Sequence, residues 1–251
     1  MPERSRVTRR KLMDAGRREF AEHGWITAKI RDIVAKAEQS NDSAINYHFG
    51  SRSGLLRAIL RVGIEAMEEQ RAADMEALGH EGLALDSDLG VVRLSGLVIR
   101  PLADVMRTPE GVDFVRIVGQ IGPYTRVEQA LRNPVMQDTI LLSQVEVLVD
   151  AIGSSIGADY GRHRIHNFLI ALIAILSARA LSISAGKKKA MAENGGVEPT
   201  IDEINERLLA NGELPHDAFV EEVVTTLSAG LATGTRAAVD RGRAQPPRPS
   251  A

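Results

Sequence analysis

Two short apolar clusters constrain this chain more than anything else in it. Ile30, Ile33, Val34 and Ala37 form the first, and Ala44 with Ile45 the second, with the polar turn Glu38-Gln39-Ser40 between them. The first cluster spans about two helical turns and the second less than one, too short to hold a helix alone in water, so both need bracing by longer neighbours. Braces stand on either side. Leu12, Ala15, Gly16 and Phe20 share one face of a preceding helix, and Leu55, Leu56, Ile59 and Leu60 share one face of a following helix. Gly24 stops the first helix, and Trp25-Ile26 pack back beneath it. Thr27 is positioned to cap the second helix and Ser51 the fourth, while Tyr47-His48-Phe49-Gly50 ends the third.

Two short helices joined by a tight turn and braced by a longer one make a helix-turn-helix. In that geometry the second short helix enters the major groove of DNA, and its outward side chains near the N-terminus meet base edges. Here Gln39, Ser40, Asn41, Asp42, Ser43 and Asn46 are polar and outward. Asn and Gln pair bidentately with adenine, and Asp42 is suited to accept from cytosine N4 or to pair with a nearby Arg. Lys29 and other cations at the rim would neutralise phosphates. Charge agrees: residues 1–61 carry 13 Lys/Arg against 7 Asp/Glu, a net of +6, while the remainder carries −8 of the chain's −2 total.

The run Asn46-Tyr47-His48-Phe49-Gly50-Ser51-Arg52, with Ala21-Glu22-His23-Gly24-Trp25 and Thr27 upstream, resembles the N-terminal domain of TetR-type regulators over residues 6–60. The resemblance implies an all-α homodimer in which a ligand-binding body holds two DNA-reading heads, and a small-molecule effector alters their separation. It also implies phosphate-side roles for Thr27, Tyr47, His48 and Arg52. Tyr47 reads equally as a core aromatic. The turn Ala37-Glu38-Gln39-Ser40-Asn41 is one residue longer than the common form and lacks its glycine, and Ser53-Gly54 replaces the usual acid.

Beyond the head, helical spacing recurs and no strand pattern appears, so the expected fold is all-α. The expected helices span 6–23, 28–37, 42–48, 52–78, 90–107, 110–121, 134–156, 159–185, 200–210 and 215–239. Thr108-Pro109-Glu110, Asn133-Pro134 and the capping box Thr200…Glu203 supply starts, and Pro101 a kink or break. Residues 79–90 and 186–199 read as loose segments, and the tail 241–251 as disordered. The domain expectation is 1–52 for the DNA-binding head and 53–240 for a regulatory and dimerisation body.

Phe168 to Leu176 form an apolar run that must be buried on more than one side, and residues 215–239 present an amphipathic face. Phe168, Ile175, Phe219, Val223 and Leu227 are therefore candidates for a four-helix seam between two copies, with packing inside one chain as the alternative. A mostly apolar effector pocket is expected among helices 90–156, lined by Val105, Phe114, Ile117, Val118, Ile121, Tyr124, Leu142 and Val145, with Arg116, Gln120, Gln144 and Asn167 as polar anchors, and ordinary core or surface positions as the alternative for each.

Nothing calls for a cofactor or a metal. The chain has no cysteine, no phosphate loop and no nucleophile elbow. His163 and His166 have a ligand spacing but no matching acid, so no enzymatic activity is expected. No apolar run approaches the length of a membrane span, and the N-terminus is no secretory signal, which makes the cytoplasm the expected compartment. The expected function is a ligand-released repressor that binds a palindromic operator in double-stranded DNA as a homodimer. The alternative is a helical sensor or carrier whose basic head binds without sequence choice.

Overall fold

The computed structural model describes residues 3–81, 88–121, 129 and 132–232. Its helices are α1 (Glu3–His23), α2 (Ile30–Lys36), α3 (Ser43–Phe49), α4 (Arg52–Glu81), α5 (Asp88–Asp104), α6 (Pro109–Ile121), α7 (Ile140–Ile156), α8 (Ala158–Glu193), α9 (Ile201–Ala210) and α10 (His216–Ala232). A 3-10 turn, Val105–Arg107, links α5 to α6. No strand occurs among the described residues, so the fold is all-α.

Two apolar cores organise these helices. The head core holds Leu12, Phe20, Ile33, Val34, Ile45, Leu55 and Ile59 from α1–α4, and also Ile117 from α6. The body core holds Ile64 and Met67 of α4, together with residues of α5–α10. The domain boundary expected near residue 52 is therefore not a linker. One 30-residue helix, α4, contributes its first half to the head and its second half to the body.

Local start signals act where the sequence places them. Ser51 Oγ accepts from Gly54 N at 3.0 Å, Thr108 Oγ1 from Gly111 N at 3.1 Å, and Thr200 forms the full capping box with Glu203. Pro101 does not break its helix. α5 continues to Asp104 and then tightens into the 3-10 turn.

Three expectations need correction. Asn133-Pro134 starts no helix: Asn133 Oδ1 accepts from Val135 N at 3.0 Å, closing a turn, and Asp138 adopts φ 62. The helix begins instead at Ile140, capped by Thr139, whose Oγ1 accepts from Leu142 N at 3.1 Å. Residues 186–193 are not a loop but the last turns of α8. They stay helical because Ala190 is fully buried and Lys187 and Lys188 pair with Glu198 and Glu22. The expected loop holds over residues 194–199, where Gly195 and Gly196, at φ +65 and +91, turn the chain toward α9. In the stretch 79–90, residues 79–81 belong to α4 and 88–90 to α5, while 82–87 lie outside the described residues. The expected end of the last helix at 239, and the tail, also lie outside them.

α8 is long and apolar enough to cross a membrane by length and composition alone. Part of that apolarity faces the chain's own core. Ile165, Phe168, Leu172, Leu176, Ala180 and Ile183 face the body core, where α6, α7, α9 and α10 pack on it. Gly161 lies so close to α7 that an added Cβ would stand 2.6 Å from Gly153 Cα, which lets the two backbones touch.

Candidate nucleic-acid interface

The head is assembled from its ends inward. Gly24, at φ +86, terminates α1, and the Thr27 hydroxyl donates to His23 O. Thr27 thus closes α1 rather than capping α2. The residue flanking α2 is Lys29, in extended conformation with no side-chain cap. The turn after α2 needs no glycine because Glu38 itself adopts φ 57. Lys11 pairs with Glu38 and holds its carboxyl below the usual range, so the left-handed residue is tethered to α1.

The same turn engages one expected DNA contact. Gln39 Nε2 donates to the carbonyls of Ala37 and Glu38, each at 3.1 Å. Asn41 is half committed: its Oδ1 accepts from Ser43 N at 2.8 Å and opens α3, while the residue stays exposed. Ser40, Asp42 and Ser43 are exposed.

α3 divides cleanly. Ile45 is buried in the head core, and Ser43, Asn46 and Tyr47 share the outward face at helical spacing. Tyr47 is 79% exposed, so of the two readings open in the sequence the core aromatic fails. His48 is half-buried, its ring edge-on to Tyr47 at 4.9 Å between centroids, with Nδ1 buried and without a partner among the described residues. Phe49 is packed against the head core and lies under the Arg9 guanidinium at 5.0 Å.

Arg52 is tied down more than the sequence suggests. Its Nη1 donates to Trp25 O at 3.1 Å and to Ile26 O, binding the start of α4 to the segment between α1 and α2. The Ser53-Gly54 departure also has a geometric reason. A Cβ on Gly54 would fall 1.8 Å from Phe49 O, so α3 and α4 meet only because no side chain is there.

The head is fastened to the body through α6. Gln120 Oε1 accepts from Trp25 N at 3.0 Å, and its Nε2 donates to Phe20 O at 2.9 Å. Arg17 lies 3.4 Å from Asp113 and 3.5 Å from Glu110, and Arg116 lies 3.5 Å from Glu22. Burial raises the Asp113 pKa, with Arg17 and Arg116 opposing the shift. Gln120, expected to anchor a ligand, is thus a strap between head and body.

On its other face α6 borders an apolar cavity of about 200 Å³, whose wall includes Ile64, Met67, Val98, Phe114, Val118 and Val145. Of the expected pocket residues, Phe114, Val118, Ile121 and Val145 line this cavity. Ile117 does not, being in the head core. Gln144 is fully buried and bonded to Arg71. Asn167 is exposed on α8, in a separate groove with His163. Tyr124 lies outside the described residues. A larger cleft of about 540 Å³ between α1, α4 and the α5–α6 corner shares Met67 and Phe114 with the cavity. The Phe114 ring rests on Gly63, where an added Cβ would lie 2.2 Å from it.

The expected seam residues all pack against the chain's own core, the alternative the sequence left open. Phe168 and Val223 are buried in the chain's own core, and Ile175, Phe219 and Leu227 pack half-buried against it. No group of three His, Asp or Glu that could hold a metal occurs among the described residues.

No curated protein sequence matches this chain. Two solved structures resemble it over most of their length. The fatty acid degradation regulator FadR from Bacillus halodurans is 14% identical, with a TM-score of 0.48 over 88% of this chain and 98% of that one. A TetR-family regulator from Streptomyces coelicolor A3 is 19% identical, with a TM-score of 0.39 over 90% and 95%. Residues 12–59 match the model of the bacterial regulatory proteins of the tetR family. The helices α1–α3 and the first part of α4 thus match the helix-turn-helix domain of the tetR family of bacterial regulatory proteins.

Proposed function

We propose that this chain is a cytoplasmic transcriptional repressor that binds a palindromic operator as a homodimer and is released by a small apolar effector. The observation that carries the effector step is the double duty of α6. Ile117 and Gln120 hold the head, while Phe114, Val118 and Ile121 border the cavity one turn or less away. A ligand that shifts α6 shifts the head with it, and the coupling is reciprocal: bound DNA disfavours the ligand by the same factor. The proposal assigns no catalytic step, cofactor or metal.

In this reading Ser40, Asp42, Ser43 and Asn46 read base edges, and Lys29, Tyr47 and the helix ends contact phosphates. Thr27, His48 and Arg52 brace the phosphate-side surface.

The dimer is supported by two outward stripes, one of small and apolar residues and one that mixes alanines with Glu222 and Thr225. Ala174, Ala178, Leu181 and Ala185 form one on α8, and Ala218, Glu222, Thr225 and Ala229 form the other on α10. Both are exposed in the single chain and spaced for one helical face. An isologous four-helix seam would cover them.

Selection of bound sequences from random duplexes at two salt concentrations tests the proposal. Recovery of a palindrome, with half-sites about one helical turn apart, is expected. Recovery of nothing but salt-sensitive background would favour a head that binds without sequence choice.

A further inference from the structure

Beside the cavity lies a polar cluster that joins α4 to α5 and α7 and still leaves atoms unpaired. Arg71 is fully buried on α4, one turn beyond Met67. Its Nη1 donates to Leu97 O at 2.9 Å and to Gln144 Oε1 at 2.7 Å. Glu68 spends Oε2 on the Ile140 backbone N. Three atoms of the cluster are left over: Arg71 Nε, Gln144 Nε2 and Glu68 Oε1 are all buried and have no hydrogen-bond partner among the described residues. Arg71 Nε and Glu68 Oε1 face each other at 3.8 Å, too long for a bond but short enough for one bridging atom.

An unsatisfied buried polar atom costs free energy, and three together demand a partner. Two of the three are donors and one is an acceptor. A hydroxyl matches that set, since it accepts twice and donates once. A carboxylate offers no proton and puts a second negative charge beside Glu68, and an ether cannot donate. Burial lowers the Arg71 pKa to about 10, with Glu68 opposing the shift, so the guanidinium remains a cation at neutral pH.

The cluster lies next to the cavity wall rather than in it. Met67, Val98 and Val145 line the cavity, and these are the neighbours of Arg71, Leu97 and Gln144 along their helices. Met67 Sδ lies 3.9 Å from Arg71 Nη2, and a methionine moves aside more readily than a branched side chain.

We propose that the cavity takes a neutral molecule with an apolar body and a terminal hydroxyl, the hydroxyl bridging Arg71, Gln144 and Glu68. This rests on the reading of the cavity as the effector site, and it adds the chemical class of the effector.

The test uses the full chain and three matched probes, 1-octanol, octanoate and octyl methyl ether, with dissociation constants from titration calorimetry. 1-Octanol is expected to bind about tenfold more tightly than either of the others, as one lost hydrogen bond to a charged group implies. In Glu68→Gln, whose amide oxygen still accepts from Ile140 N, the preference over octanoate should fall to within about twofold. Gln144→Met, close in shape, should weaken 1-octanol about fivefold and serves if Glu68→Gln does not fold. Equal affinities for the three probes, a preference for octanoate, or no binding of 1-octanol would each overturn the proposal. Preferential binding of 1-octanol without any effect on DNA affinity would leave the chemistry standing and instead contradict ligand release.

Discussion

Gln120 and Trp25 are 95 residues apart in the chain, and the side chain of the first closes on the backbone of the second at 3.0 Å. The same amide reaches Phe20 O at 2.9 Å, so one residue of α6 pairs the Trp25 donor and adds a second bond to a carbonyl that already accepts from Gly24 N at 3.0 Å. Gln120→Leu removes both bonds at nearly constant volume. We expect a loss of about 1–3 kcal/mol in urea denaturation, the worth of two bonds broken with the Trp25 donor left behind. We also expect weaker communication between DNA affinity and cavity occupancy.

Gly63 seats the Phe114 ring. Gly63→Ala forces the ring away from α4, and overpacking of this kind costs about 1–3 kcal/mol. Combining it with Phe114→Leu should recover part of that loss, because the two residues share one space. A double-mutant cycle in urea checks this, and strict additivity would mean the ring is not held there.

Asn46 and Lys29 should separate base reading from phosphate contact. Asn46→Ala is expected to cost about 1–3 kcal/mol at particular base positions, whereas Lys29→Ala should weaken all duplexes alike and reduce the salt slope by about one. Competition binding against single-base variants distinguishes the two patterns. Arg52→Ala belongs with neither, since its guanidinium holds the carbonyls of Trp25 and Ile26 and its loss should lower head stability as well.

His216 makes stability depend on pH in a defined direction. It is nearly buried, and burial holds its pKa below the ordinary 6.5, although Asp104 at 3.1 Å opposes the shift. The unfolded chain therefore takes up the proton first as pH falls. The stability contribution is complete above pH 6.5 and is lost as pH falls from there through the lower folded value. Urea midpoints should fall less between about pH 7 and pH 5 in His216→Gln than in the wild type.

The head was legible in the sequence because its signals are local. The apolar spacing of α1–α4, the Gly24 stop and the Ser51 cap each act within a few residues. Thr108 and Thr200 were legible for the same reason. Asn133-Pro134 misled because the same residues that start a helix also close a turn, and Asp138 in left-handed conformation chose the turn. The lysine-rich end of α8 reads as loop by composition, but Ala190 and the ion pairs of Lys187 and Lys188 keep it helical. Gln120 could not be assigned because its partners lie about a hundred residues away. Arg71 did leave a trace: Ile64, Met67 and Arg71 fall on one helical stripe, which places a cation on a buried face.

The transmission of cavity occupancy to the head through α6 is tested most directly by filling the cavity from α7. Val145→Phe does so without touching α6 or the head in sequence, and Leu208→Ala, in the α8–α9 contact, serves as an equally destabilised control. Affinity for the selected DNA sequence should fall about 5- to 150-fold in Val145→Phe, the range of an ordinary allosteric coupling, and stay at the wild-type value in Leu208→Ala. Equal affinity in all three proteins would contradict the coupling.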